Sequence, residues 1–255
     1  MTRFGICTDF ENIGGVAAAG FDYIEPKTYD IATASEDEFN GMRRVVENSG
    51  IACEAVNFFY PLHFKVVGEN INEKEIYEYI ELAVKRTNLL GVKNITVGSA
   101  GPRRVPEGFS KVRAEIQFGM QVKYLGELAA KHGMTVAIEP IRFASTNLIN
   151  NIAQGAALAK VVGLPNVKTM ADLNQMMGAD DSVGQIYEHG SYIGHMHIID
   201  VENSCYPVNP GDILQREAVR AYLAVNPGGR ISVEGAPFTT VETAQKCLAT
   251  LKGWV

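Results

Sequence analysis

Long apolar runs are missing from this 255-residue chain: no stretch reaches the roughly 18 residues that a membrane-spanning helix needs. The opening, MTRFGICTDF, has no apolar core of a secretory leader. Positive charge is also scarce, with 23 Lys and Arg against 29 Asp and Glu, a net charge of −6 and a pI near 5.5. That balance counts against a nucleic-acid partner, because such binding draws its affinity from a basic face that neutralises phosphates. Only four cysteines occur, Cys7, Cys53, Cys205 and Cys247, and no two form a C-x-x-C pair. They read as reduced thiols of a cytoplasmic protein. A G-x-G-x-x-G turn is absent where a dinucleotide-binding sheet would carry it, since the segment after the first strand-like run is CTDFENIGG. There is no low-complexity segment, linker or close internal repeat. The expectation is a soluble intracellular protein with no membrane partner.

What is present is alternation. With 46% apolar and 20% charged residues the chain can build a large core. Eight β-rich runs follow one another: RFGICTD, FDYIEPK, GIACEAVNF, VKNITVGS, MTVAIEP, VKTMADL, YIGHMHIID and RISVEGA. Between them lie stretches such as NEKEIYEYIELAVKRTNLLG and VRAEIQFGMQVKYLGELAAKHG, with apolar residues at helical spacing and glycine stops. Strict β-then-α order implies a parallel sheet, and eight units imply closure into a single (β/α)8 TIM barrel, an α/β fold, as one domain over residues 1–255.

In such a barrel, chemistry sits at the carboxyl ends of the strands. The fifth run, Thr135 to Pro140, raises the point sharply: three apolar residues end in Glu139, and an unpaired buried carboxylate is costly. The sixth, seventh and eighth runs end in Asp172, His197 and Glu234. Any one of these serves equally well as a cap or loop hydrogen bonder; four in succession point to a metal. Three oxygen donors and one imidazole suit Mn2+, Mg2+ or Co2+ better than a structural zinc site, which favours thiolates and imidazoles. His195 and His197 share one face of their strand, so both rings enter the barrel. His197 is assigned to the metal, and His195 to a hydrogen-bonded place one layer below.

The order and spacing of IEP with TNLIN, ADLNQMM, GHMHIID and VEG resemble the xylose isomerase-like TIM-barrel superfamily. The branch most similar is the sugar isomerase/epimerase group that includes ketose 3-epimerases and inosose dehydratases, and the resemblance runs over essentially the whole chain. It implies one bound Mn2+, Mg2+ or Co2+ held by Glu139, Asp172, His197 and Glu234. It also implies that Glu139 and Glu234 act as the acid/base pair on opposite faces of a small-molecule sugar. Isomerisation or epimerisation through an enediolate is the implied reaction, with a lyase or dehydratase acting on a keto-sugar or inosose as the alternative. Many relatives pair through barrel helices, so homo-oligomerisation is a further expectation, although no stripe in the sequence marks where.

The substrate shell departs from the epimerase pattern. Gln175 stands three residues after Asp172 where those enzymes carry histidine; Asn203 or Ser204 stands where they carry arginine; Ser145 replaces a second glutamate. Gln175 can donate to a hydroxyl but cannot shuttle a proton. Further candidate substrate contacts are Arg142, expected to point over the metal, Asn57 and Glu25 at strand ends, each read equally as a hydrogen bonder to a neighbouring loop, and His63 on a loop able to close over the pocket, with Phe58, Phe59 and Tyr60 as an apolar wall. Arg103 and Arg104 read as solvated loop charges, with an anion clamp as the rival reading. Trp254 reads as a terminal anchor. Two rivals to a sugar enzyme stand beside it. One is an abasic-site endonuclease, disfavoured by five histidines and the acidic pI. The other is a non-catalytic barrel serving as binding protein or partner subunit.

Overall fold

Parallel strands need a crossover after each one, and the long amphipathic stretches supply it. The computed structural model of the chain describes residues 1–235, 238 and 240–255. Its strands are β1 (Arg3–Ile6), β2 (Tyr23–Ile24), β3 (Ala52–Cys53), β4 (Ala55–Val56), β5 (Asn94–Val97), β6 (Thr135–Ile138), β7 (Val167–Asp172), β8 (Ile193–Ile198) and β9 (Arg230–Val233). They form one parallel sheet in the order β3-β2-β1-β9-β8-β7-β6-β5-β4. The two edge segments, β3 and β4, are consecutive in the chain and together make the third of the eight expected staves, so the ring is the predicted TIM barrel. Glu54 separates them. Its carbonyl accepts from the main chain of Lys93 and Asn94, and its carboxylate takes Arg230 at 2.7 Å and Arg3 at the amino-terminal rim.

The helices are α1 (Ile13–Ala19), α2 (Thr28–Thr33), α3 (Glu36–Ser49), α4 (Glu73–Leu89), α5 (Lys111–Ala130), α6 (Ile152–Val162), α7 (Leu173–Met177), α8 (Gly184–Glu188), α9 (Ile213–Val225) and α10 (Val241–Trp254). Their starts follow local chemistry: Ser35 and Glu38 form a capping box on α3, and Asn72, Ser110, Asn151 and Thr240 cap α4, α5, α6 and α10. Trp254 anchors α10 as expected, buried and donating to the Pro210 carbonyl. No helix among the described residues is long and apolar enough to cross a membrane.

The apolar core lies between sheet and helices, where outward-facing Ile24, Val56, Ile95, Ile138, Met196 and Ile231 are fully buried. The barrel interior is different. Tyr23, Glu25, Asn94, Thr96, His195, His197 and Ser232 are all buried polar residues. Gly5 makes room for them, since a Cβ there would lie 2.1 Å from the Tyr23 ring.

Candidate active site at the carboxyl mouth of the barrel

Four neighbouring staves deliver the four predicted ligands. Glu139 follows β6, Asp172 ends β7, His197 is the penultimate residue of β8 and Glu234 follows β9. Strand register sets Asp172 beside His197 and His197 beside Ser232. One ligand atom from each of Glu139, Asp172, His197 and Glu234 lies within 4.8 Å of all the others. His197 Nδ1 is 2.9 Å from Glu234 Oε2 and 3.6 Å from Asp172 Oδ2. Gly98, the first residue after β5, is required by close approach: a Cβ there would sit 1.6 Å from Glu139 Oε2.

Beneath the cluster sits Glu25, which the sequence reading left between a substrate contact and a loop bond. It does neither. Its Oε1 meets His197 Nε2 at 3.0 Å and Thr96 Oγ1 at 3.4 Å, and its Oε2 meets His195 Nε2 at 2.9 Å and accepts from Ser232. A carboxylate has about four acceptor positions, and all four are used. With Nε2 of His197 turned to Glu25, Nδ1 is the nitrogen that faces Asp172 and Glu234. A histidine fixed from behind by a carboxylate is the arrangement that holds a metal-binding imidazole in one orientation and tautomer. His195 lies one layer down, fully buried, as expected.

The two levels differ in charge balance. Burial alone would raise Glu25, but His197 and His195 outweigh it and hold the carboxyl well below its ordinary range. Burial would likewise lower His197, yet Glu234 and Glu25 bring it well above the usual imidazole value. At the upper level, burial together with Glu234 and Asp172 drives Glu139 well above the carboxylate range. Glu234 is pushed up to about 7, by burial first, with His197 only partly offsetting it. Asp172 Oδ1 accepts the Gln175 main-chain N–H at 3.0 Å, while its buried Oδ2 has no hydrogen-bond partner. Crowded acids, an orphaned oxygen and a pre-aimed imidazole fit a hard or borderline divalent cation.

A cavity of about 620 Å3 opens beside the cluster at Glu234, with Cys7, Glu25, Asn57, Phe58 and Gln175 also in its wall. Asn57 is buried and its Oδ1 has no partner. Gln175 uses its amide oxygen on the Arg142 main-chain N–H. Cys7, read from sequence only as a reduced thiol, follows β1 directly with Sγ 3.9 Å from His197 Nε2; the strand-end rule would have found it.

Several expected contacts are not brought to the pocket. The stem of Arg142 lies against Gly178 and its Nε faces Ser145 Oγ at 3.5 Å, because the loop after β6 turns back on itself there. Asn203 is exposed and spends its amide on Asp200 in a tight turn. His63 is exposed, with its ring edge-on to Phe64; Phe58 is the residue of that loop that reaches the pocket, while Phe59 and Tyr60 are core. Arg103 corrects the reading of solvated charge: it is buried and donates to the carbonyls of Val97 and Glu139, the latter at 2.6 Å, bracing the ligand's backbone. Arg104 is exposed and bonds the Ser145 carbonyl.

A parallel barrel with a compact acid-and-imidazole cluster at its carboxyl mouth defines a TIM barrel arranged for chemistry at that end. Residues 14–250 match the xylose isomerase-like TIM barrel family, and the chain belongs to it. D-psicose 3-epimerase of Agrobacterium fabrum is 26% identical over 189 residues, covering 71% of this chain and 64% of that enzyme, so the chain spans less than two thirds of this relative's length. The structure of D-psicose 3-epimerase from Clostridium cellulolyticum with D-tagatose superposes with a TM-score of 0.81 at 20% identity, covering 98% of this chain and 97% of that one. For 3-keto-D-glucoside 4-epimerase from E. coli the TM-score is 0.80 at 20% identity, with 99% of each chain covered. At that identity the two structures speak for the fold.

Proposed function

We propose that the protein is a divalent-metal-dependent isomerase or epimerase of a sugar or keto-sugar, working by proton abstraction next to a carbonyl. The observation that carries this reading is the convergence of Glu139, Asp172, His197 and Glu234 within 4.8 Å, with Asp172 Oδ2 unpartnered. These four residues would hold one Mn2+, Mg2+ or Co2+. When bound, the cation supplies Lewis-acid stabilisation of the negative charge that builds on the carbonyl oxygen as the neighbouring proton leaves.

The chain's own groups do the rest. Glu139 and Glu234 come from staves separated by β7 and β8, which suits a pair addressing one carbon from two sides. One takes the proton and the other returns it, or the same one returns it to the adjacent carbon. Burial pushes the Glu234 carboxyl up to about 7 and a bound cation would pull it the other way, so the two together would set its proton affinity. Asp172 and His197 serve as ligands only, with Glu25 fixing His197. The wall of the cavity offers amides at Asn57 and Gln175, the Lys27–Asp9 ion pair and an apolar face at Phe58, which suits a hydroxyl-rich substrate.

The test is isotope exchange in D2O. Cation-loaded protein is incubated with a panel of ketoses, keto-sugars and inososes and followed by NMR. Deuterium entering a carbon beside a carbonyl, and lost with EDTA, is the expected result, and the product identifies isomerase or epimerase. Loss of water from the substrate would reassign the protein as a lyase. No exchange with any compound, despite bound cation, would sink the proposal.

A further inference from the structure

Asn57 and Phe58, which follow β4 at the barrel mouth, are costly on two counts. Phe58 has a φ of 44°, in the left-handed region that a bulky side chain rarely adopts. Asn57 is 3% exposed, and its buried Oδ1 has no hydrogen-bond partner among the described residues. Backbone strain and unmatched buried polar atoms both destabilise a fold.

Strain of this kind persists only where the surroundings enforce it, and here they do. On one side the Asn57 main chain is tied to the end of β2. Its N–H donates to the Pro26 carbonyl at 3.0 Å, and its carbonyl accepts from Thr28 at 2.7 Å. On the other side the Tyr79 hydroxyl donates to the Phe59 carbonyl, and Ser99 Oγ bonds both main-chain groups of Tyr60 at 2.9 Å. Phe58 lies between the two fixed segments and takes up the turn. Phe59 and Tyr60 are buried in the core, edge-on to one another. Phe58 is not part of that core: it is 37% exposed, in the wall of the cavity that also holds Asn57 and Glu234.

Strained aromatic ring and orphaned oxygen therefore face one cavity side by side. An aromatic face carries negative charge density and attracts C–H groups, while an amide oxygen accepts from a hydroxyl. A closed sugar ring offers both partners, with axial C–H groups gathered on one face and hydroxyls at its edge. An open-chain polyol has no continuous C–H face to lay on the platform.

From this pairing we infer that Asn57 and Phe58 form a specificity subsite for a sugar or cyclitol held as a closed ring. The C–H face rests on Phe58, and a ring-edge hydroxyl donates to Asn57 Oδ1. That subsite presupposes the sugar-binding mouth proposed for the protein and adds the form in which the sugar is held.

Unreactive probes separate the subsite from the reaction. Saturation-transfer NMR in the presence of Mn2+ compares two rings, myo-inositol and methyl β-D-glucopyranoside, with D-sorbitol, an open chain. The rings are expected to bind at least about tenfold more tightly than sorbitol, with transfer from protein aromatic protons to ring C–H protons. Phe58→Ala, Phe58→Gly and Asn57→Ala should each weaken the rings by about tenfold, and Phe58→Tyr should retain them. Phe58→Gly should also melt about 2–4 °C above Phe58→Ala, because glycine takes a positive φ without steric cost. Sorbitol bound as tightly as the rings, no ring binding at all, or ring affinity unchanged in all three weakening variants would overturn the subsite. So would a glycine variant that melts no higher than the alanine one. A wild type that binds the rings through Phe58 but exchanges no deuterium with any substrate leaves the subsite standing and removes the isomerase reading. Exchange into a ketose with KM unaltered in Phe58→Ala does the reverse.

Discussion

Two layers of the same barrel interior use the same kinds of side chain to opposite ends. In the lower layer Glu25 is met by two imidazoles and two hydroxyls, and its charge is matched where it lies. In the upper layer Glu139, Asp172 and Glu234 share one imidazole, two of them are pushed toward protonation, and an oxygen of Asp172 is left without a partner. Buried polar groups in stable cores are satisfied. The lower layer pairs its one carboxylate and reads as support, although His195 Nδ1 and Asn94 Oδ1 there also lack partners; the upper layer carries three carboxylates on one imidazole, the deficit of positive charge that the proposed cation would fill.

The comparison can be broken most severely at the upper layer. Glu139→Gln or Glu234→Gln should lower turnover by about 10²–10⁴-fold, the usual worth of a positioned acid or base. Melting temperature should hold, since a crowded carboxylate has been neutralised. Full activity in either variant would refute the two-carboxylate mechanism. Next come two substitutions that act through position, both read as cation affinity by calorimetry. Gly98→Ala must displace the Glu139 carboxylate. Glu25→Gln removes the charge behind His197, and losses of about 10–100-fold are typical when such supports are removed. Unchanged affinity in Glu25→Gln would show that the lower layer is mere filling.

A smaller effect follows from pH. Glu139 and Glu234 bind protons more tightly folded than unfolded, so the stability they contribute is present at low pH. It is lost as pH rises, for Glu234 from the ordinary 4.5 through about 7. Cation-free protein should melt at progressively lower temperature from about pH 5 to 8, and added Mn2+ or Mg2+ should restore more at the upper end, because binding competes with protons. A melting temperature that rises over this range without cation would reverse the assignment. Smallest of all, His63→Ala should leave stability within about 0.5 kcal/mol and turnover unchanged, as an exposed loop residue outside the pocket. A large loss of turnover would bring the loop into the mechanism.

The barrel and the four-residue cluster were legible because both rest on strand order and strand ends, which are local. Glu139 announced itself as an acid closing an apolar strand. What lay beyond was settled by side-chain direction across distant segments. Glu25 lies 172 residues from the histidine it fixes, and nothing in FDYIEPK tells whether its carboxylate turns inward or to a loop. Arg103 sits in a glycine- and proline-rich loop that looks solvated, yet carbonyls of two strands draw it into the core. Arg142, Asn203 and His63 were placed by their distance along the chain from a ligand, but the loops that carry them fold back on their own polar groups. The short staves β2, β3 and β4 are two residues each, and the break at Glu54 depends on arginines from the first and last staves.

The most direct measurement is calorimetric titration of the metal-free protein with Mn2+ in buffers of different ionisation enthalpy. The expected result is one cation per chain, with protons released on binding, and loss of that binding in Asp172→Asn and in His197→Ala. Absence of saturable binding, or binding unaltered by both substitutions, would contradict the claim that the unbalanced layer is a metal centre.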